Sequence, residues 1–188
     1  MNKYIKLVIA ALIIIAGIYL FTIREYGWGT VLIILSGLPV LLFFKNEYIL
    51  LAFWHMRKER LDKAKNVLSK IKNMESQLVR KQFGYFHYLT GMTEAQTNLT
   101  GTEKHMKKAL EYGLSFKHDR AMAKMSLAGA VMAKGRKNEA AILLKEAREL
   151  DRQGMLTEQI KMMQEQLKKV NIGKNLQNPN MRRRGKYF

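Results

Sequence analysis

The sequence predicts an all-α protein: an N-terminal two-helix transmembrane hairpin, then a helical solenoid of about three helix pairs closed by a capping helix. Three observations predict this. Tyr4 to Phe44 holds two apolar runs separated by a six-residue break, Arg24 to Gly29. From Leu50 to Val170, apolar residues recur at three- and four-residue spacing between charged ones, the period of an amphipathic helix. That second stretch also resembles itself at a spacing of 38 residues.

The first run, Leu7 to Ile23, carries no charge, and with Tyr4 and Ile5 it approaches the roughly 20 residues a helix needs to cross the hydrocarbon core. Thr30 to Phe44 is the second uncharged run, brought close to spanning length by Gly27 to Gly29. Pro39 lies inside it, which a membrane helix tolerates. A cleaved signal peptide fits less well, because the first run is long, no A-x-A site follows and a second apolar run comes at once. Buried core helices of a water-soluble protein fit less well still, given two long runs without a charge. Lys3 and Lys6 flank the pair on one side, and Lys45, Arg57, Lys58 and Arg60 on the other; the turn has Arg24 offset by Glu25. The positive-inside rule then expects a two-pass membrane protein with both termini cytoplasmic. No ionisable residue lies deep in either run, so the pair reads as an anchor rather than a transport pathway.

The 188 residues carry a net charge of +18, nearly all of it downstream of Phe44. A basic region of this kind suits an anionic partner: a membrane surface, nucleic acid or an acidic protein. The chain has no cysteine, which excludes disulfides, thiolate metal sites and cysteine nucleophiles.

The period appears in five sets of positions. Leu51, Leu89 and Leu127 are 38 apart, as are Leu68, Met106 and Leu144, and Ile71, Ala109 and Ala147. Ala52, Thr90 and Ala128 are small or nearly so, as are Ala64, Thr102 and Ala140. Together they describe two helices per unit, with small residues where helices cross closely. Residues 121–154 are the clearest unit. Leu127-Ala128, Val131, Gly135, Ala140, Leu144, Ala147 and Leu150 resemble the tetratricopeptide repeat, in which helix A carries a Leu-Gly pair and an aromatic, a Gly marks the turn, and helix B carries spaced Ala and large apolar residues. The chain departs from that pattern: Lys124 stands at the opening aromatic, Arg152 at the closing Pro, and the period exceeds the usual of about 34. Residues 46–76 and 84–114 keep only a skeleton of it. The domain organisation expected is therefore a hairpin over 1–45, repeats over 46–154, a capping helix over 155–171 and a basic disordered tail over 172–188.

Boundary signals fit helix pairs. Thr100 to Glu103 has the spacing of a capping box, Ser115 stands where a cap would precede Ala121 to Ala133, and Gly113, Gly135 and Gly154 stand where helices should stop. Leu156, Ile160, Met163, Leu167 and Val170 form one apolar stripe, as a helix closing a repeat array would.

Stacked helix pairs leave a groove that takes a peptide or helix. One subset of the tetratricopeptide family grips C-terminal carboxylates with Lys, Arg and Asn on its inner helices; the matching positions here, Ile49, Phe53, His87, Gly91, Met125 and Gly129, carry no such clamp. What the resemblance implies is a more apolar groove, with Phe53, His87, Met122, Met125 and Met132 as candidate protein-binding residues. The same residues also suit contacts with the neighbouring repeat.

Arg57 to Lys72 holds seven basic and two acidic residues directly after the membrane segment. Arg57, Lys58 and Arg60, with Arg182, Arg183, Arg184 and Lys186 of the tail, are the candidate contacts to anionic lipid or to phosphate, including RNA. The four histidines have no metal-site spacing, no phosphate loop or nucleophile elbow is present, and Glu94 and Glu103 stand isolated. No enzyme, cofactor or small-molecule substrate is expected. The expected function is a membrane-anchored adaptor or scaffold with a protein partner; the alternative is a membrane-associated nucleic-acid or ribosome-binding protein acting through its basic surface and tail.

Overall fold

The computed structural model describes residues 3–44 and 46–176, and it is all-helical. The described residues form ten α-helices, one short 3-10 turn at Arg80–Gln82 and no strand. The helices are α1 Lys3–Thr22, α2 Tyr26–Phe44, α3 Glu47–Arg57, α4 Leu61–Leu68, α5 Met74–Gln77, α6 Phe83–Glu94, α7 Leu99–Tyr112, α8 Lys117–Ala133, α9 Lys137–Leu150 and α10 Thr157–Leu176. The chain divides into two compact units between Thr93 and Glu94.

In the first unit, α1 and α2 pack against each other. The approach is close at two glycines: a Cβ on Gly17 would lie 3.0 Å from Ile33 Cγ1, and one on Gly29 would fall 2.8 Å from the Phe21 ring. The connection is shorter than the six residues expected, since α2 already starts at Tyr26. Arg24 makes this tight turn by adopting a left-handed backbone, φ 64°. Its N–H donates to the Phe21 carbonyl and the Glu25 N–H to the Leu20 carbonyl, the Schellman pattern that closes a helix end. The helix also continues through Pro39.

After α2, Asn46 caps α3. Its side chain accepts from the Tyr48 N–H at 2.9 Å and donates to the Gln77 carbonyl at 2.9 Å, so one buried amide joins α3 to the segment before α6. α3 buries Ile49 and Ala52, and α4 buries Ala64, Val67 and Leu68. Between them Glu59 has φ 58°, with its N–H on the Met56 carbonyl and the Arg60 N–H on the His55 carbonyl. A left-handed glutamate costs about 1 kcal/mol that glycine avoids. Glu59→Gly is therefore expected to raise the melting temperature by a few degrees, read by circular dichroism in detergent; a lowered melting temperature would show that the side chain contributes more than the backbone strain costs.

In the second unit, α8 packs against α7 and α9, and α10 packs against α9 and α8. Asn98, not Thr100, caps α7: its side chain accepts from the Gly101 N–H at 2.9 Å, and the asparagine stands immediately before the first helical residue. Phe116, one residue after Ser115, holds the N-cap position of α8 and supplies no side-chain cap. Gly135 turns α8 into α9 at φ 79° with the same two hydrogen bonds seen at Glu59, here to Met132 and Val131. Ala121, Ala128, Leu144, Ala147, Leu156 and Ile160 make one buried cluster. Alanines on α8 and α9 leave room for Leu144, and Leu156 and Ile160 bring the apolar stripe of α10 onto it. α10 continues to Leu176, past the expected limit of 171.

Candidate functional site

The most extensive feature of the surface is apolar. Along α1, Tyr4, Ile5, Val8, Leu12, Ile15, Ile18 and Tyr19 are exposed, and along α2, Trp28, Val31, Ile34, Leu35, Leu38 and Leu41. Withdrawing the exposed part of each such side chain from water is worth roughly 1 kcal/mol, so the surface as a whole favours an apolar cover. Tyr4–Thr22 is long and apolar enough to cross a membrane, at about 1.5 Å per residue. The apolar stretch of α2, Tyr26–Leu41, is shorter, and among the described residues α1 alone reaches spanning length.

Lys6, expected as a free basic flank, is instead buried and pairs with Glu47 at the first turn of α3. The pair joins the start of α1 to the start of α3 and neutralises the lysine at the edge of the apolar surface. A contact across 41 residues leaves no local pattern in the sequence.

Arg57, Lys58 and Arg60 all remain exposed at the end of α3 and the turn to α4. Lys58 sits 3.9 Å from the ring centroid of Trp54, which is itself exposed. Arg182, Arg183, Arg184 and Lys186 lie outside the described residues, as does Lys45.

The candidate groove residues fall in different units. Phe53 is half-buried, its ring 5.8 Å from that of Tyr85, and His87 is buried in α6. In the second unit, Met122 and Met125 pack against the Leu144 cluster, while Met132 is half-buried. Met122 and Met125 thus each make core contacts.

The chain matches no family model, no curated protein and no solved structure.

Its chemistry is therefore read from its own residues. Among the described residues no three of His, Asp and Glu gather into a group able to hold a metal ion. Glu103, isolated in the sequence, is the centre of an ion cluster in the structure. It accepts from Lys107 and Lys134 at 2.8 Å and from Arg136 at 2.5 Å, and Arg136 also donates to Glu139 at 3.0 Å. The Arg136 guanidinium, then Lys107 and Lys134, hold the Glu103 carboxyl at about 2, well below its ordinary value. Glu103 in turn raises the Arg136 guanidinium. Burial lowers the His105 imidazole, with Glu94 opposing and Lys104 and Lys108 reinforcing. Lys124, which stands where the tetratricopeptide pattern has an aromatic, bonds Glu146 at 2.5 Å and so links α8 to α9 by charge. A cleft of about 440 Å³ opens at the start of α8 and the end of α9, lined by Phe116, Lys117, His118, Leu150, Arg152 and Met155 among others. Sequence reasoning did not single it out, because its two walls lie more than 30 residues apart in the chain.

Proposed function

We propose that the chain is a membrane-anchored, non-enzymatic adaptor that presents a tetratricopeptide-like helical array on the cytoplasmic face. The observation that carries the repeat reading is register. The second helix of each unit, α4, α7 and α9, begins at Leu61, Leu99 and Lys137, each start 38 residues after the last. Three of the five repeating sets are buried throughout: Leu68, Met106 and Leu144; Ile71, Ala109 and Ala147; Ala64, Thr102 and Ala140. Glu59 and Gly135 occupy the same place in that register and adopt the same left-handed turn. A repeat unit cannot bury its apolar face alone, so units stack and offer a surface for a peptide or helix.

The exposed apolar faces of α1 and α2, their close packing at Gly17 and Gly29, and their tight Arg24 turn support a two-pass anchor. The basic residues Arg57, Lys58 and Arg60 then favour the cytoplasmic leaflet. The cysteine-free chain makes a direct test simple. In sealed membrane vesicles, a thiol probe applied to the cytoplasmic face should label Asn138→Cys and leave Glu25→Cys unlabelled. Labelling of both from one face would overturn the two-pass reading. Labelling of Asn138→Cys only from the other face would overturn the orientation. The adaptor reading is tested by affinity capture in detergent: partner binding should survive removal of residues 177–188, which leaves α10 whole. If binding is lost with the tail and collapses with salt, the phosphate-binding alternative replaces it.

A further inference from the structure

We infer that the outer face of α3 is a second membrane contact, an interfacial surface that docks on anionic lipid beside the anchor. This deepens the membrane reading of α1 and α2 and rests on it. α3 has two unlike faces. Ile49 and Ala52 are buried, whereas Leu50, Leu51 and Trp54 are 45%, 42% and 47% exposed. With Arg57 and Lys58, the three exposed side chains occupy an arc of about 120° on the helix. The face therefore carries three large apolar groups along most of its length and two cations at its end.

The uncovered state of this face is not a property of the position. Leu51 stands in register with Leu89 and Leu127, which are 1% and 3% exposed. Within the repeat register this position is a core position, and only in the first unit is it uncovered.

Three features name the bilayer surface as what covers it. α3 begins at Glu47, three residues after α2 ends at Phe44, so the face lies in sequence beside the apolar anchor. Trp54 is an amphipathic ring of the kind enriched at the headgroup level, and Lys58 lies 3.9 Å over it, which keeps a cation next to the apolar face. Arg57, Lys58 and Arg60 provide charge complementary to anionic headgroups, and among the ion pairs of the described residues none involves them. An interfacial helix binds by just this sum of buried apolar area and attraction to anionic lipid. Each of these cations is worth about fivefold in docking at low salt. The lone acid on the arc, Glu47, is already neutralised by Lys6.

The two tryptophans allow each membrane contact to be read separately. Trp28→Phe leaves Trp54 as the reporter of α3, and Trp54→Phe leaves Trp28 as the reporter of the anchor. Each full-length variant is placed in vesicles of phosphatidylcholine alone or mixed with phosphatidylglycerol. Emission is then read with brominated acyl chains and with acrylamide as quenchers. The expected result is that Trp54 in anionic vesicles shifts to the blue, is quenched by brominated lipid and is shielded from acrylamide. Arg57→Gln with Lys58→Gln should reverse that shift. A Trp54 open to acrylamide and untouched by brominated lipid in both compositions would overturn the inference. So would shielding that does not depend on lipid charge and involves no bromine quenching, which would mean a protein covers the face. Failure of the anchor reading looks different: Trp28 would itself be open to acrylamide and untouched by brominated lipid.

Discussion

Glu103→Gln is expected to destabilise the full chain by about 1–2 kcal/mol near neutral pH and to flatten its acid denaturation. Glu103 is 14% exposed and accepts from three cations on two segments, Lys107 one turn along α7 and Lys134 and Arg136 at the turn from α8 to α9. Its carboxyl titrates at about 2 in the fold against 4.5 ordinarily. A shift of that size is worth about 3 kcal/mol at most, and solvent around the half-exposed Lys107 and Arg136 reduces it. Because the folded value is the depressed one, the stabilisation is complete above the ordinary value and is lost as pH falls from 4.5 towards 2. Glutamine keeps the shape and removes the charge, so Lys107, Lys134 and Arg136 converge on a neutral amide, with Glu139 left to hold Arg136. Melting curves of both proteins in detergent, from neutral pH down to about pH 3, check this. The gap should be widest at neutral pH, close as pH falls and narrow in high salt. Equal melting at neutral pH would mean that the cluster is a solvated surface feature.

What the sequence made legible is what repeats locally. The all-helical class follows from apolar spacing, and the stripe of α10 from Leu156, Ile160 and Leu167, which the fold buries. The left-handed glycines at Gly113, Gly135 and Gly154 follow from the residue type. What was misread has a physical reason in each instance. The six-residue break became three because Arg24 adopts a backbone that glycine usually supplies, and no composition rule flags an arginine there. The α7 cap was placed two residues late because Thr100 and Glu103 match a capping box, while Asn98 caps through a shorter reach to Gly101. Glu103 was read as isolated because two of its three partners lie 31 and 33 residues on, beyond any helical period. The Lys6–Glu47 pair is hidden for the same reason.

Leu144→Ala is expected to cost about 3 kcal/mol in detergent, and Leu51→Ala much less. Both are leucines on helices with apolar residues at three- and four-residue spacing, so composition and pattern treat them alike. Leu144 is fully buried in one cluster with Ala121, Ala128 and Ala147, together with Leu156 just before α10 and Ile160 within it. Neighbours that are already small cannot collapse into the space, so the cavity term adds to the lost transfer energy. Met106, 38 residues earlier and equally buried, should show a cost of the same order when shortened to alanine. Leu51 is in the opposite situation. It is 42% exposed, so the fold buries much less of it than of Leu144. Its main effect should appear in vesicles with anionic lipid, where Leu51→Ala weakens docking of Trp54 while lowering the melting temperature in detergent much less than Leu144→Ala does. Thermal melts in detergent and Trp54 quenching in vesicles separate the two sites. A loss at Leu51 in detergent as large as that at Leu144 would mean that α3's outer face is covered by protein, and the basis for laying it on the bilayer would be gone.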